Sequence, residues 1–497
     1  MLTILLSSSV LALPAGAVVP DQFIAKIYSE GLGRIPDQSS WKAASTDFAA
    51  NGCTLTRLKN YARNVYTSGE FNGFGYDNAA KLLALYRGVL NREPDASGFN
   101  FFLNDLNSGT SWNTTVDNFL NSTEFSNLAA TICSAFVTSY NWGTHPVINL
   151  PVTTTGFQGG TGAQLQALLN ATPSGGTVFL AQKSVTQLTT TLVVPSGVTL
   201  ATTGLPARKK YALMGRLVRS SAFNAEMVKL NSGSKLRHVW VDGTRNLPQN
   251  FVSDAINVRL YGGTGTTVEN CRMDNSRGWS TLQAVGWNIP CDSNTIRGNL
   301  VTAYSSSHLD VQWTDGLSIA CGNAIVEHNE IIDATDVPIV LFRSDMESQQ
   351  SQVRYNLILN AGNSAYGGLV VDPLTGGGQF DFLGSSVHDN TMWTGSRTHW
   401  DVGISVGTRP WFGTGASCGT GASVTNNTTG IVRSLVDLGI GVSCMLNTTV
   451  LGNSLTVTHV NSSNCPTLDV VAAVSAGHAS GNIQTYTDQI LLQCIGH

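Results

Sequence analysis

The pattern of apolar and polar positions changes about a third of the way along the chain. From about residue 160 onwards, short runs of β-branched residues alternate with turn residues, as in short β-strands. An asparagine recurs three places after a β-branched residue, 26 to 37 residues apart, and cysteine takes this place after Val268. The instances are Val268/Cys271, Ile296/Asn299, Val326/Asn329, Val353/Asn356, Val387/Asn390, Val424/Asn427 and Val450/Asn453. A constant phase with variable loops predicts stacked coils joined by a ladder of inward asparagines.

A second series marks the start of apolar strands with an aspartate. Its members are Asp254, Asp315, Asp336, Asp401 and Asp437. Asp315 and Asp336 lie 21 residues apart, a suitable length for one coil, so we expect them at one position on adjacent coils. Between them, Asp333 stands in a turn. The two series together predict a mainly β protein, a parallel β-solenoid.

Residues 18–142 instead show the apolar spacing of helices and an internal duplication. The segment 23–37 matches 82–95, and each copy ends in Ser-x-Glu-Phe, at 68–71 and 122–125. Arg92 and Asp95 are expected to form a structural ion pair and a helix cap. We therefore predict a smaller N-terminal all-α domain, a linker at 143–160 and a solenoid at 161–497 that folds without the helices.

The first 17 residues are apolar and end in Ala15-Gly-Ala17, which is typical of a signal peptide. No later run is long and apolar enough to span a bilayer. We expect a secreted, extracellular protein without a membrane anchor. Seven Asn-x-Ser/Thr sequons suggest a glycoprotein, although Asn427 is a ladder position and should not carry a glycan.

Nine cysteines in a secreted chain predict four disulfides and one remaining thiol. Coil register pairs Cys291 with Cys321 and Cys418 with Cys444, because stacked coils bring backbones within disulfide distance. We further expect Cys53–Cys133 in the helical domain and Cys465–Cys494 at the C-terminal end. Cys271, in the ladder, is left as the free thiol.

Composition narrows the range of partners. The chain is 12% charged with a net charge of −4, and no lysine follows Lys235. Such a chain lacks the basic surface that nucleic acid requires. A strongly anionic polysaccharide is also disfavoured.

Two stretches resemble known families. The segment Tyr86-Arg-Gly-Val-Leu-Asn-Arg-Glu-Pro-Asp95 follows the pattern Tyr-Arg-x-Leu-x-Arg-x-Pro-Asp with one additional residue before Leu90. With the closing Ser-x-Glu-Phe, it resembles a small helical domain of unknown function. The order of a short helix at 162–170, strands at 173–180 and 192–200, and Lys235-Leu-Arg-His-Val-Trp-Val-Asp-Gly is similar to the entry of pectin-lyase-like right-handed parallel β-helix proteins. This resemblance implies a helix that caps the first coil. The superfamily includes lyases, glycosidases, fructan-processing enzymes and phage adhesins, and the Gly-x-Asp-Asp, Gly-His-Gly and Arg-Ile-Lys hallmarks of polygalacturonase-type enzymes are absent here.

The region around Asp315 and Asp336 is the candidate active site. Two close carboxyl groups with separated pKa values are what glycoside hydrolysis requires. Further candidates for catalysis are Asp333 and Asp310. Residues expected to contact a sugar or to tune the carboxylates are His308, Trp313, Arg343, Tyr366, His399, Trp400, Arg409 and Trp411.

Several alternatives stay open at this stage. Aspartate caps turns through its side chain, and we expect this role for Asp254 and Asp437. Calcium binding is an alternative use of the same aspartates, although no cofactor is otherwise expected. The leading hypothesis is a glycoside hydrolase acting on a mostly neutral polysaccharide. The others are a polysaccharide lyase, for which Arg343 or His308 would serve as base, and a non-catalytic carbohydrate-binding adhesin.

Overall fold

The computed structural model describes residues 18–134, 146–220, 222–244, 252–302, 313–344, 348–374, 381–408, 417–442, 445–460 and 482–483. Within these residues, eight helices precede the β-structure: α1 (Asp21–Gly31), α2 (Gln38–Asn51), α3 (Leu55–Tyr66), α4 (Gly69–Asn72), α5 (Asn78–Val89), α6 (Ala96–Asn107), α7 (Trp112–Leu120) and α8 (Thr123–Ile132). None of the helices in this described part of the chain has the length and apolar run needed to cross a membrane.

The duplicated motif of the helical domain is held by one ion pair in each copy. Arg34 Nε donates to Glu70 Oε1 at 2.9 Å, and Arg92 Nε donates to Glu124 Oε1 at 2.6 Å. Each pair joins the arginine before Pro-Asp to the glutamate of the closing Ser-x-Glu-Phe. Asp95 caps α6 and contacts Arg92 at 3.2 Å. The predicted structural role of this motif is confirmed.

The described part of the solenoid contains three stacked sheets, whose strands run parallel except that β32 pairs antiparallel with β30. The nine-stranded sheet comprises β1 (Gly160–Thr161), β3 (Val185–Leu188), β6 (Gly215–Arg219), β9 (Val239–Asp242), β12 (Arg272–Asp274), β15 (Leu300–Thr302), β18 (Glu330–Ile332), β21 (Leu357–Asn360) and β24 (Thr391–Thr394). The ten-stranded sheet comprises β4 (Leu192–Val194), β7 (Val228–Leu230), β10 (Val258–Tyr261), β13 (Ser280–Val285), β16 (Asp315–Ala320), β19 (Ile339–Phe342), β22 (Ala365–Asp372), β25 (Trp400–Val406), β28 (Ser434–Val442) and β31 (Val457–His459). The eleven-stranded sheet comprises β2 (Thr177–Leu180), β5 (Thr199–Thr202), β8 (Lys235–Arg237), β11 (Thr267–Glu269), β14 (Thr295–Arg297), β17 (Ile325–Glu327), β20 (Gln352–Arg354), β23 (Ser386–His388), β27 (Ser423–Thr425), β30 (Thr448–Leu451) and β32 (Asn482–Ile483). The remaining elements are the helix α9 (Gly162–Ala171), a 3-10 helix (Arg208–Leu213) and a strand pair formed by β26 (Gly419–Thr420) and β29 (Met445–Leu446). The predicted parallel β-helix with a smaller helical domain is confirmed.

The asparagine ladder follows the eleven-stranded sheet. Asn356 is typical: its Nδ2 donates to Val326 O at 3.0 Å and to Asn390 Oδ1 at 2.9 Å. Its own Oδ1 accepts from Asn329 Nδ2 at 3.0 Å. The same contacts recur from Asn299 to Asn453, and all of these side chains are buried. Each buried amide is therefore satisfied by the coils above and below it. This confirms the ladder and the inward position of Asn427.

The first coil is closed by α9, as the resemblance implied. Thr161 and Gln164 form a capping box at its N-terminus, and Leu165 and Leu169 enter the interior apolar cluster of the solenoid. Phe157 also forms a bridge with Leu180, so the end of the predicted linker already pairs with the first coil.

Disulfides join positions predicted from coil register. Cys291 and Cys321 are bonded across adjacent coils with their Cα atoms 4.8 Å apart, and Cys53 is bonded to Cys133. Cys271 is buried and unbonded. Cys418 is disulfide-bonded as well, whereas its predicted partner Cys444 and the predicted Cys465–Cys494 pair lie outside the described residues, as does the predicted signal peptide.

The helical domain packs on the outer face of the nine-stranded sheet. Val239 and Val241 of β9 point into the solenoid, and Trp240 between them joins the apolar cluster of the helices. Ile332 and Trp393 contribute to the same cluster from later strands. The helices thus cover a sheet face that would otherwise expose large apolar side chains.

A network of buried charges crosses the same interface. Arg272 of β12 donates to Glu30 of α1 at 2.6 Å and to Asp274 at 2.7 Å. Arg87 of α5 contacts Glu30 at 2.9 Å and Asp274 at 3.1 Å. Burial would raise the pKa of Glu30, but Arg272 and Arg87 outweigh it and lower that pKa. Removing the helices would leave solenoid charges without these partners. This gives a physical reason to expect the solenoid to depend on the helical domain, contrary to the expectation from the linker.

Candidate functional site

The predicted site lies on the ten-stranded sheet, at the N-terminal ends of its strands. Leu282 of β13 is paired with Leu317 of β16, and this register extends through Ile339, Leu369, Ile404 and Ile440. Three places before these residues, the paired strands carry a row of polar and aromatic side chains. This site row consists of Trp279, Thr314, Asp336, Tyr366, Asp401 and Asp437.

Glycine or proline follows the site row where successive coils approach closely. Gly316, Pro338, Gly368, Gly403 and Gly439 stand one place before the inward apolar residues. A Cβ at Gly316 would lie 2.4 Å from Pro338 O, and one at Gly403 would lie 2.6 Å from Gly439 O. The motif Asp-x-Gly-Ile therefore reflects close packing of successive coils as much as chemistry.

Asp315 is one residue out of register with Asp336, which corrects the expected alignment. Because Leu317 pairs with Ile339, Asp315 stands beside Val337, and Thr314 occupies the site row. The Asp315 carboxylate bridges the coils: Val337 N–H donates to Oδ1 at 3.2 Å, and Ser318 Oγ donates to Oδ2 at 2.6 Å. The two aspartates nevertheless lie on neighbouring coils at the same end of the sheet.

The two carboxyl groups interact electrostatically. Burial raises the pKa of Asp315 well above its usual range, and the charge of Asp336 raises it further. Burial also raises the pKa of Asp336, with a contribution from the charge of Asp372. Asp372 ends β22, and burial raises its own pKa to about 6. A cluster of half-buried carboxyl groups that resist ionisation is therefore present, as expected of catalytic acids and bases.

Aromatic side chains lie beside these carboxyl groups. The rings of Trp313 and Tyr366 are in contact, with centroids 4.3 Å apart, and both are partly exposed. Burial and the charges of Asp336 and Asp401 raise the pKa of Tyr366. Trp279 is 47% exposed, and its carbonyl accepts from the Asp315 N–H at 2.7 Å. Together these rings offer apolar faces next to the carboxyl pair.

Asp333 occupies a structural position. It is fully buried, and its Oδ1 accepts from the N–H groups of Ala361 at 2.6 Å, Gly362 at 2.8 Å and Asn363 at 3.4 Å. These bonds hold the following coil. Burial outweighs them and raises the pKa of Asp333 to about 6. Because the side chain is enclosed and its oxygen is used in this way, it is not placed to contact a substrate.

Two residues expected to bind or tune substrate groups have other partners. Trp400 is fully buried in the solenoid interior, where its indole N–H donates to Asn360 Oδ1 at 3.0 Å. A ring with no exposed face cannot stack on a sugar, so this prediction is corrected. Arg343 Nε lies 2.5 Å from Oδ1 of the buried Asp381, an ion pair distinct from Asp315 and Asp336.

The far end of the site row brings His399 next to two aspartates. Its Nε2 lies 3.5 Å from Asp401 Oδ1, and its Nδ1 lies 3.1 Å from Ser364 Oγ. Burial would lower the pKa of His399, but the hydrogen bond to Asp401 and the charge of Asp437 outweigh it, so the pKa is raised. Asp437 is inside β28 and not in a turn, which corrects its predicted role. Asp254 does lie in a turn, exposed and paired with Arg259 at 2.8 Å.

Four predicted site residues lie outside the described residues: His308, Asp310, Arg409 and Trp411. Two others were missed from the sequence, Trp279 and Asp372. Both have a detectable signal. Trp279 stands immediately before the strand β13, as Thr314 stands immediately before β16. Asp372 follows Val371, whose side chain points inward, so the alternation of the strand places Asp372 on the outer face.

A known family model matches part of the helical domain. Residues 62–129 match the model of DUF4214, a domain of unknown function. This match confirms the resemblance found in the sequence of the helical domain. No curated protein matches the sequence.

Solved structures with a similar fold include a phage protein and a fungal enzyme. The tailspike protein of E. coli bacteriophage HK620, in complex with a pentasaccharide, is 15% identical with a TM-score of 0.42, and the match covers 60% of this chain and 59% of that chain. The endo-xylogalacturonan hydrolase from Aspergillus tubingensis is 12% identical with a TM-score of 0.39, covering 60% of this chain and 89% of that chain. At these values neither structure assigns a residue or an activity to this protein.

Proposed function

We propose that this protein is a secreted glycoside hydrolase that cleaves a mostly neutral polysaccharide at the Asp315–Asp336 pair. The observation that carries the proposal is the electrostatic coupling of two half-buried carboxyl groups on adjacent coils. Such coupling separates the two ionisations, so that one group stays protonated while the other is ionised. Acid and base functions then coexist at one pH.

The local contacts suggest how the two roles are divided. Burial and the charge of Asp336 raise the pKa of Asp315 by more than the hydrogen bonds from Ser318 and Val337 lower it, so Asp315 is the group expected to stay protonated. It would donate a proton to the glycosidic oxygen. Asp336 would act as the ionised partner, as general base or nucleophile. Asp372 keeps a negative charge nearby and so favours the protonated form of the pair.

The aromatic side chains fit a sugar ligand. Trp279 on one side and the Trp313–Tyr366 pair on the other present ring faces near the carboxyl groups. Sugar rings have apolar faces that pack on such side chains. The chain carries no lysine after Lys235, which is consistent with a substrate of low charge. Arg343, which the lyase hypothesis used as a base, is held by Asp381.

Secretion and glycosylation belong to the same proposal. The Cys53–Cys133 and Cys291–Cys321 disulfides are typical of an oxidising compartment. Exposed sequon asparagines offer acceptor sites, namely Asn113, Asn121, Asn170, Asn426 and Asn447.

Incubation of the purified protein with a panel of neutral and acidic polysaccharides tests the function. New reducing ends without ultraviolet-absorbing unsaturated products are expected. Unsaturated products would instead indicate a lyase. Retention on a polysaccharide with no product would indicate a binding solenoid. The absence of both product and retention would contradict the proposal.

A further inference from the structure

Three side chains of the kinds that bind metal ions converge at the far end of the site row. Ligand atoms of His399, Asp401 and Asp437 all lie within 4.8 Å of one another. The strand register produces this arrangement, because Trp400 pairs with Val436 and Val402 with Leu438, which puts Asp401 directly opposite Asp437. His399 immediately precedes β25 and reaches the same point.

The imidazole is already oriented for a ligand. Ser364 Oγ accepts from the His399 backbone N–H at 3.1 Å and lies 3.1 Å from Nδ1. With Nδ1 engaged in this way, Nε2 faces Asp401 Oδ1 at 3.5 Å. Nε2 is therefore the ring nitrogen that faces the carboxylates, where it can donate a proton to Asp401 or, once deprotonated, bind a metal ion. Metal-binding histidines are typically held through their other nitrogen in this manner.

The charges at this point also call for a cation. Like charges directly opposite on neighbouring strands repel each other, and Asp437 is only 4% exposed. Buried carboxylates are normally paired or bound to metal. A cation bound between the two carboxylates would offset this repulsion.

We propose that His399, Asp401 and Asp437 bind one divalent metal ion that links two neighbouring coils. The nitrogen ligand favours Zn²⁺ or Mn²⁺ over Ca²⁺, which prefers oxygen ligands throughout. The separation of 3.5 Å between Nε2 and Oδ1 suits two ligands about 2.0–2.2 Å from one first-row ion. This site is separate from the Asp315–Asp336 pair, and its existence does not depend on the proposed hydrolase activity.

Titration of the full-length protein, stripped with EDTA and dialysed, tests the proposal. Isothermal titration with Zn²⁺, Mn²⁺ and Ca²⁺ in turn is expected to show one equivalent of Zn²⁺ or Mn²⁺ bound more tightly than Ca²⁺. His399→Ala and Asp437→Asn should each weaken binding at least tenfold. Asp254→Asn, an exposed aspartate elsewhere on the chain, and Asp336→Asn should leave it unchanged.

Three outcomes would overturn the site: no binding, binding that survives both substitutions, or preferred Ca²⁺ binding that is unaffected by His399→Ala. Circular dichroism checks that each variant is folded. If Asp437→Asn does not fold, His399→Ala decides the question alone, since that side chain is 31% exposed and its loss is tolerable. The visible spectrum of bound Co²⁺ gives a second readout, which should change in His399→Ala.

Discussion

Asp315 accepts a hydrogen bond from the backbone of Val337, at 3.2 Å, across the boundary between two coils. This contact exists because the coil that begins at Asp315 is offset by one residue relative to the coil that begins at Asp336. The offset brings the Asp315 carboxyl towards the next coil and into the electrostatic range of Asp336.

Asparagine at Asp315 or Asp336 should abolish most turnover while the fold is kept. Asparagine has nearly the same shape but neither ionises nor donates an acid proton. Loss of one positioned acid or base costs about two to four orders of magnitude in rate. Reducing-end assays on the most responsive polysaccharide give the measurement. Asp254→Asn is the matched control and should retain full activity, because that side chain is exposed and bound to Arg259.

The same two variants should be more stable than the parent protein at neutral pH. A carboxyl group whose pKa is raised in the folded state binds its proton more tightly there than in the unfolded state. The free energy of unfolding therefore falls as the pH rises from the pKa of the unfolded state through the pKa of the folded state. At a pH above both pKa values, each pKa unit of difference between the two states lowers the free energy of unfolding by about 1.4 kcal/mol. Thermal melts at pH 4 and pH 8 should show the gain at pH 8 only. A loss of stability at pH 8 in both variants would identify the aspartates as structural.

Replacement of Trp279 by alanine should weaken polysaccharide binding more than it slows the chemical step. The ring is 47% exposed and belongs to the site row next to Asp315, where it would contact the sugar and not the reacting atoms, so we expect KM to rise several-fold with kcat nearly constant. Kinetics on a soluble polysaccharide provide the measurement. Phe101→Ala, an exposed aromatic on α6, serves as the control. Equal kinetics for Trp279→Ala and the parent would remove Trp279 from the binding surface.

Arg272→Ala should destabilise the whole protein by about 3–5 kcal/mol, because it removes one of the two buried arginines that pair with Glu30 and Asp274 and leaves only Arg87 to balance them. Denaturant unfolding measures the change. Arg57→Ala removes an exposed pair with Asp47 and should cost no more than about 1 kcal/mol.

A chain beginning near Thr153, without the helices, should be poorly soluble. A soluble, cooperatively folded product would show that the solenoid does not need the interface.

Asn356→Ala should cost about 2–4 kcal/mol, since it removes one step of the buried ladder and leaves neighbouring amide groups unpaired. Asn170→Ala, at an exposed position of α9, should change the free energy of unfolding by less than about 0.5 kcal/mol. Equal values for the two variants would mean that the ladder contributes little to stability.

The sequence by itself determined the architecture, because the features that specify it repeat locally. The asparagine ladder, the Cys291–Cys321 disulfide and the duplicated helical motif all follow from residue types at a recurring spacing, and each was predictable without coordinates. The carboxyl pair was found in the same way, since both aspartates open apolar strands one coil apart.

Only the tertiary structure decided how side chains on different coils and domains meet. Loops of unequal length hide the offset of Asp315, and hydrogen bonding between strands defines it. The sequence predicts a surface position for Trp400, yet its side chain is buried in the solenoid interior, where it donates to Asn360. The contacts of Arg272 with Glu30 join residues 242 positions apart. Periodicity carries no information about such pairings, because burial and long-range contact depend on which faces finally pack together.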